Sequence, residues 1–270
     1  MFFVGKTVYC PIKPEVMKIL MLQTDIVWES PEQNRDHITE MIYAAESADL
    51  IVLPEMFTTG FTMSPSALGE KDGTITLEWM LALARERMAA VAGSIAAEDE
   101  GKYYNRFYFV RPDATYEVYD KRHLFAYAGE DREYTAGTGR VVAEYKGVRI
   151  LLQVCYDLRF PVFSRNRGDF DMILYVANWP SSRIGVWDTL LRARAIENAC
   201  YVAGVNRVGS DPGGVYDGHT VLVDFKGNPV ATAGTSVEET VAGYIDMGML
   251  SAFRAKFPVL NDADGFALDE

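Results

Sequence analysis

The chain has 270 residues, of which 49% are hydrophobic and 24% charged, so it can bury a sizeable core and is not a disordered chain. Its formal net charge of −12 argues against a nucleic-acid partner and an anionic membrane surface, because both attract clustered Lys and Arg. Three cysteines, Cys10, Cys155 and Cys200, do not make a disulfide framework and favour a reducing, cytoplasmic location.

The first sixteen residues differ in character from the rest of the chain. Met17 resembles the first residue of a natural protein, because an apolar run of strand length follows it directly. Residues 1–16 are therefore interpreted as an upstream start or an added leader, and they lack the residue order of a secretory signal. We expect residues 17–270 to form a single domain, with Cys200 in its core and Cys10 incidental.

Apolar runs of strand length alternate with helical patterns along the chain. Residues 19–22 predict a buried strand, Ser30-Pro31 the start of a helix, and residues 49–53 a second strand. The elements predicted after these are a helix at 77–90, strands at 91–97, 103–110, 116–119, 148–154 and 172–177, a helix at 188–200, a strand at 201–205, and a hairpin of 220–225 with 229–233. This alternation indicates a layered α/β domain.

Three polar side chains follow predicted buried strands directly. Glu55 comes after the second strand, and Cys155 and Asn178 come after the strands at 148–154 and 172–177. Functional residues of layered α/β domains gather just beyond the carboxyl ends of strands. We therefore expect these three residues to share a site.

Several common catalytic motifs are missing from the sequence. It has no G-x-S-x-G, no H-E-x-x-H and no P-loop, and Gly137-Thr138-Gly139 lacks the third glycine of a dinucleotide fingerprint. His37, His123 and His219 are isolated, and no pair of cysteines has metal-ligand spacing. These absences predict a reaction that uses neither a cofactor nor a metal.

Cys155 is the first candidate nucleophile. A strand, a tight corner and a helix begun by Pro161 would place its thiol near a helix N-terminus, where oriented N–H groups stabilise a thiolate. The alternative is a buried structural cysteine. A thiol redox protein would need a C-x-x-C or a nearby resolving cysteine, and Cys155 has neither in the sequence.

Glu55 and Lys121 complete a plausible reaction with Cys155. A glutamate in a dry pocket can act as the base that deprotonates the thiol, and a lysine ammonium can hold the oxyanion formed at an amide carbonyl. The products are a thioester and ammonia, and water then releases the acid. Taken singly, Lys121 could also be an ordinary surface charge.

Three sequence blocks carry a family resemblance. The blocks are 53–57 (LPEMF), 119–125 (YDKRHLF) and 154–161 (VCYDLRFP). They resemble, in order, the three signatures of the nitrilase superfamily of carbon–nitrogen hydrolases, and the resemblance covers roughly residues 17–257. It implies an α/β fold, a four-layer αββα sandwich, that commonly pairs into a homodimer.

The same resemblance implies a role for each site residue. Glu55 would be the general base, Lys121 would stabilise the tetrahedral intermediate, and Cys155 would be the nucleophile. The backbone N–H of Tyr156 would be a second oxyanion donor. A second glutamate near the substrate matches Glu130 best, with Glu133 as its rival.

Segments 176–180, 191–198 and 206–209 resemble the omega-amidase branch of the superfamily. This resemblance implies hydrolysis of the terminal amide of 2-oxoglutaramate or 2-oxosuccinamate. Such substrates carry a distant carboxylate, for which Arg183, Arg207 and Arg159 are candidate anchors. Trp179 and Phe61 are candidate walls of the pocket, whereas we expect Arg192 and Arg194 to form structural or interface ion pairs.

Other functions remain open at this point. A nitrilase, an N-carbamoyl hydrolase or an aliphatic amidase would use the same glutamate, lysine and cysteine with a different pocket. A non-catalytic binding protein would be expected to lack one of the three, and all three are present. The expected partner is a small-molecule substrate, with no nucleic acid and no membrane.

Overall fold

The computed structural model describes residues 16–268. The predicted leader, including Cys10, lies outside these residues except for Val16, which already belongs to the first strand and pairs with Asp246. Among residues 16–268, none of the helices combines the length and the apolar character that crossing a membrane requires.

Fifteen strands are present in the described part of the chain. They are β1 Val16–Gln23, β2 Leu50–Val52, β3 Glu70–Lys71, β4 Ala90–Asp99, β5 Lys102–Val110, β6 Tyr116–Asp120, β7 Val142–Tyr145, β8 Val148–Val154, β9 Met172–Ala177, β10 Tyr201–Asn206, β11 Val208–Asp211, β12 Gly214–Asp217, β13 Val221–Val223, β14 Pro229–Thr232 and β15 Glu239–Asp246. The α-helices are α1 Pro31–Ala44, α2 Pro65–Leu68, α3 Thr74–Arg87, α4 Glu130–Glu133, α5 Ile184–Asn198 and α6 Met247–Lys256, with 3-10 helices at Ala126–Ala128, Cys155–Arg159, Ser181–Arg183 and Val259–Asp262.

The strands form two large sheets and one small one. The seven-stranded sheet runs β15-β1-β2-β4-β5-β6, with β3 beside β4, and the six-stranded sheet runs β14-β13-β10-β9-β8-β7. Strands β11 and β12 form a separate pair. The central strands of both large sheets are parallel, as β1 with β2 and β8 with β9, and such strands are buried on both faces.

The two large sheets pack face to face with helices outside them. Side chains alternate along β1, so Ile19 and Met21 point to the core between the sheets, whereas Leu20 and Leu22 point to the outer helices α1 and α3. Helix α5 covers the outer face of the second sheet through its buried Trp187, Leu191 and Ala195. The layers are therefore α, β, β and α, which confirms the predicted sandwich.

The sequence-based elements match most of the strands, with two informative differences. Pro161 does not begin a helix, because the chain turns earlier: Cys155 itself starts a 3-10 helix, in which the Asp157 carboxylate accepts a hydrogen bond from Val154 N–H. The helix predicted at 188–200 lies at Ile184–Asn198 and ends where Ala199 takes a positive φ of 43°. Cys200 is fully buried in the core, as expected.

Candidate active site

The candidate site lies where the ends of strands from both sheets meet. Glu55 and Lys121 follow β2 and β6 of the first sheet, and Cys155 and Asn178 follow β8 and β9 of the second. Glu130 begins the short helix α4. The strand ends predicted from the sequence therefore do come together.

Lys121 is the centre of a buried charged cluster. Its Nζ donates to Glu55 Oε1 at 2.9 Å and to Glu130 Oε1 and Oε2 at 3.0 and 2.9 Å. All three side chains are fully buried. Gly137 is required beside this lysine, since a Cβ there would lie 2.0 Å from Asp120 O, and its N–H donates to Lys121 O at 2.9 Å. Glu133, the rival of Glu130, is exposed.

Neutral groups fix the two carboxylates. Asn105 Nδ2 donates to Glu55 Oε1 at 2.7 Å and to Glu130 Oε1 at 3.1 Å, and its Oδ1 accepts from Ser94 Oγ at 2.9 Å. Asn178 N donates to Glu55 Oε2 at 2.8 Å, and Asn178 Nδ2 donates to Glu55 O at 2.7 Å. Because every Glu55 oxygen accepts a fixed donor, its orientation is set before any substrate binds.

Asn105 and Ser94 were missed by the sequence analysis. Both lie on β4 and β5, strands that are otherwise rich in apolar residues, and both are fully buried. A buried Asn needs partners for its amide, so an asparagine in an otherwise apolar strand position was the available signal.

Cys155 occupies a strained position at the end of β8. Its φ is +46°, a conformation that a non-glycine residue adopts only when its surroundings enforce it. Glu130, Lys121 and Glu55 all lie close enough to influence its thiol. The strained turn presents the side chain to an adjoining cavity.

The charges of the cluster favour a protonated thiol at rest. Burial raises the pKa of Cys155 well above its ordinary value, and the negative charge of Glu55 raises it further, against the opposing effect of Lys121. Burial lowers the pKa of Lys121, but Glu130 and Glu55 outweigh that effect and raise it, so the ammonium persists. Burial also raises the pKa of Glu130. The preformed thiolate considered from the sequence is therefore not favoured, and a reaction at this thiol would need a base to deprotonate it.

The cavity beside Cys155 has a volume of about 100 Å³. This is smaller than the ~300–1,000 Å³ typical of sites for drug-sized ligands, so it suits a small substrate. The lining includes the predicted residues Glu55, Phe61, Cys155, Tyr156, Arg159, Asn178, Trp179 and Arg183, together with Phe125, Ala128, Pro180, Gly213 and Tyr216.

Two arginines reach the cavity without an acidic partner. The guanidinium of Arg159 lies over Trp179 at 5.2 Å, and that of Arg183 lies over Phe125 at 5.3 Å. Within residues 16–268, neither side chain forms an ion pair with a carboxylate. Stacked and unpaired guanidinium groups suit recognition of an anionic part of a substrate.

The prediction that Arg207 anchors the substrate carboxylate has to be corrected. It is fully buried, pairs with Asp211 at 2.7 Å and Asp25 at 3.1 Å, and does not line the cavity. Its guanidinium lies 4.5 Å from the ring of Tyr216, which does line the cavity. Arg207 therefore supports the cavity wall from behind.

Of the two helix arginines, Arg194 forms the expected ion pair, with Glu197 at 3.0 Å. Arg194 is buried and donates to Leu158 O at 2.6 Å, which braces the turn that follows Cys155. Arg192 is exposed. In the part of the chain that the structure describes, no group of three or more His, Cys, Asp or Glu side chains could hold a metal ion.

Comparison with known proteins gives consistent matches over nearly the whole chain. Residues 18–255 match the family model described as carbon-nitrogen hydrolase. The chain is 46% identical over 255 residues to the omega-amidase YafV of Escherichia coli (strain K12), covering 93% of this chain and 98% of that protein. It is 34% identical over 251 residues to the 2-oxoglutaramate amidase of Bacillus subtilis (strain 168), covering 90% and 96%.

A solved structure matches equally broadly. XC1258 from Xanthomonas campestris, a CN-hydrolase superfamily protein solved with an arsenic adduct in its active site, is 42% identical to this chain. The match covers 94% of this chain and 99% of that one, with a TM-score of 0.91. The four-layer arrangement seen here is thus shared with that protein.

Proposed function

We propose, from the premise that the chain belongs to the carbon–nitrogen hydrolase family and to its omega-amidase branch, that this enzyme hydrolyses the terminal amide of 2-oxoglutaramate or 2-oxosuccinamate. The observation that carries the proposal is the buried cluster of Glu55, Lys121 and Glu130 close to Cys155. Glu55 and Cys155 line a small cavity with Arg159 and Arg183, neither of which pairs with a carboxylate within residues 16–268. The products are the 2-oxo acid and ammonia.

The first half of the reaction forms a thioester. Glu55 takes the proton of the Cys155 thiol as Sγ attacks the amide carbonyl, and the electron pair of the C=O bond moves to oxygen. Lys121 Nζ and the backbone N–H of Tyr156 hold that oxyanion. The intermediate then collapses, the C–N bond breaks, and Glu55 returns its proton to the leaving nitrogen as ammonia departs.

The second half releases the acid. Glu55 takes a proton from water, the hydroxide attacks the thioester carbonyl, and the same two donors hold the second oxyanion. The C–S bond breaks and the sulfur recovers its proton, which restores Cys155. Glu130 does not react in this scheme, but holds the Lys121 ammonium in place with its two oxygens.

Substrate selection follows from the cavity wall. Arg183 and Arg159 would hold the carboxylate at the far end of the substrate, since both line the cavity and no carboxylate among residues 16–268 pairs with them. Phe61 and Trp179 would flank the carbon chain. Phe61 also lies under Lys121, whose Nζ is 5.1 Å from the ring centre.

Ammonia release tests the proposal. The substrates are 2-oxoglutaramate, 2-oxosuccinamate, a simple nitrile and an N-carbamoyl amino acid, each with the wild type and with Cys155→Ala. Turnover of the oxo-amides by the wild type alone is the expected result. Turnover of the nitrile or the carbamoyl compound instead would keep the proposed triad and reject the proposed substrate.

Three further features are proposed with this function. We expect a homodimer, and the exposed Val162 and Ile196 supply apolar area for an interface. We expect a cytoplasmic enzyme, in keeping with the free thiols of Cys155 and Cys200. We expect residues 17–270 to be the catalytic unit. Light scattering, cell fractionation and the activity of a chain begun at Met17 test these expectations in turn.

A further inference from the structure

The two proposed reacting groups come from different sheets. Lys121 follows β6 at the edge of the first sheet, and Cys155 follows β8 in the second. No strand ladder joins β6 to β8, so main-chain pairing does not fix the separation between ammonium and thiol. Some other contact must hold the two loops together.

Asp157 makes that contact. It lies two residues after Cys155 and is fully buried. One oxygen, Oδ2, accepts from Val154 N at 2.9 Å and from Tyr119 OH at 2.7 Å. The other, Oδ1, accepts from His123 N at 3.0 Å and pairs with His123 Nδ1 at 2.7 Å. The carboxylate therefore binds both its own turn and the segment on either side of Lys121.

His123 adds a second connection between the same two loops. Its ring stacks on Phe160 with centroids 3.8 Å apart and planes 5° from parallel, and it meets the edge of Phe163 at 5.1 Å. The Tyr119 hydroxyl that donates to Asp157 also accepts from Arg122 N at 3.1 Å. Loop 119–123 and turn 154–160 are thus joined by both polar and aromatic contacts.

We propose that Asp157, through His123 and Tyr119, is a positioning residue that fixes the Cys155 turn against the Lys121 loop. It contacts neither reacting atom itself. This inference rests on the proposed role of Cys155 as nucleophile. Since a misplacement of about 1 Å can lower a rate by about 10²-fold, weakening these hydrogen bonds should reduce kcat while leaving KM nearly unchanged.

A pair of variants separates positioning from stability. His123→Ala and His123→Asn both remove the ring that stacks on Phe160, so both should lower Tm. Only the asparagine keeps an N–H donor near the position of Nδ1. We expect His123→Ala to lower kcat by about 10–100-fold, and His123→Asn to recover a large part of that loss. Tyr119→Phe, which removes one donor and keeps the ring, should lower kcat by a smaller factor.

His219→Asn is the matched control. His219 also pairs with a carboxylate, Asp188, at 3.0 Å, but it does not line the active-site cavity. Its variant should keep the wild-type kcat. Equal kcat for His123→Ala and His123→Asn, or a kcat that follows Tm across the series, would overturn the proposal.

Alkylation of Cys155 by iodoacetamide keeps this test separate from the choice of substrate. The rate should differ severalfold between the wild type and His123→Ala, with His123→Asn between them. An absence of amide turnover by the wild type would reject the proposed function alone. An unchanged alkylation rate in His123→Ala would reject the positioning role.

Discussion

The Nζ atom of Lys121 lies 2.9 Å from Oε1 of Glu55, and neither side chain is exposed to solvent. Ion pairs buried to this degree are expensive to desolvate and contribute little net stability, so their presence points to another use. Glu130 adds a second carboxylate to the same ammonium, also at 2.9 Å. We infer that the protein keeps this cluster because it holds a cation and a base next to Cys155.

Replacing Lys121 by Met should remove the side chain that we propose as an oxyanion donor. Loss of one such donor commonly lowers kcat by about 10²–10³-fold. The substitution also leaves two buried carboxylates without their cation, which can destabilise by about 3–5 kcal/mol. The double variant Lys121→Met with Glu130→Gln removes one of these charges, and should regain stability without regaining activity.

Steady-state kinetics and thermal unfolding distinguish these two effects. Lys102→Met, at an exposed lysine on β5, is the matched control and should match the wild type in both. Substantial turnover by the folded double variant would show that Lys121 is not the oxyanion donor.

Glu55→Gln should make the thiol more acidic while stopping the reaction. The negative charge of Glu55 is one cause of the raised pKa of Cys155, so its removal should lower that pKa and raise the thiolate fraction at a given pH. The rate of iodoacetamide labelling is measured on the peptide that contains Cys155. In this variant the rate should rise at a lower pH than in the wild type, while ammonia release is lost. Rapid, pH-independent labelling of the wild type near pH 6 would instead indicate a preformed thiolate.

The acidic limb of the pH–rate profile should reflect Glu130. Burial raises the pKa of Glu130 above its usual 4.5, so the cluster takes up a proton at a higher pH than a free glutamate would. We therefore expect kcat/KM to fall at that higher pH. Protonation of Glu130 has the opposite effect on stability. Because the pKa of Glu130 is higher in the folded than in the unfolded protein, its contribution to the free energy of unfolding is fully present below the unfolded-state pKa. That contribution is lost as the pH rises through the folded-state pKa.

Glu130→Gln should therefore make the free energy of unfolding less dependent on pH in this range and lower kcat. Asp131→Asn, at the exposed neighbouring residue, should alter neither property. An unchanged acidic limb and undiminished kcat in Glu130→Gln would show that Glu130 has no part in the reaction.

Arg183→Met should impair binding of the charged end of the substrate. Hydrogen bonds to charged groups contribute about 1.5–3 kcal/mol, so KM for 2-oxoglutaramate should rise by about 10–100-fold. A neutral short-chain amide should be affected far less, and Arg159→Met should act in the same direction. Arg192→Met, on the exposed side of α5, is the control. A parallel loss for charged and neutral amides would assign Arg183 a structural role instead.

The sequence predicted the parts of the site that lie at strand ends. Glu55 and Cys155 closely follow apolar runs, and functional residues of layered α/β domains gather beyond the carboxyl ends of strands, so a shared site could be expected from local patterns. That β2 and β8 belong to different sheets could not. Lys121 was harder, because it follows β6, a short edge strand of the first sheet without a long apolar run, and its role came from the family resemblance.

What the sequence could not predict depends on contacts between distant segments. Arg207 looked as suitable an anchor as Arg183, and only the tertiary structure shows that Asp25 and Asp211 neutralise it. The helix expected at Pro161 was wrong because Asp157 accepts from Val154 N and starts the turn earlier. Asn105 reaches two carboxylates that lie 50 and 25 residues away, beyond any local pattern.

The most direct test of the proposed mechanism is to trap the acyl-enzyme. The wild type is mixed with 2-oxoglutaramate and quenched in acid during turnover, and the intact mass and the peptide that contains Cys155 are measured. We expect a mass increase equal to the substrate minus ammonia, located on Cys155 and absent from Cys155→Ala, which should also release no ammonia. Turnover by Cys155→Ala, or an acyl group carried by any other residue, would contradict the central claim.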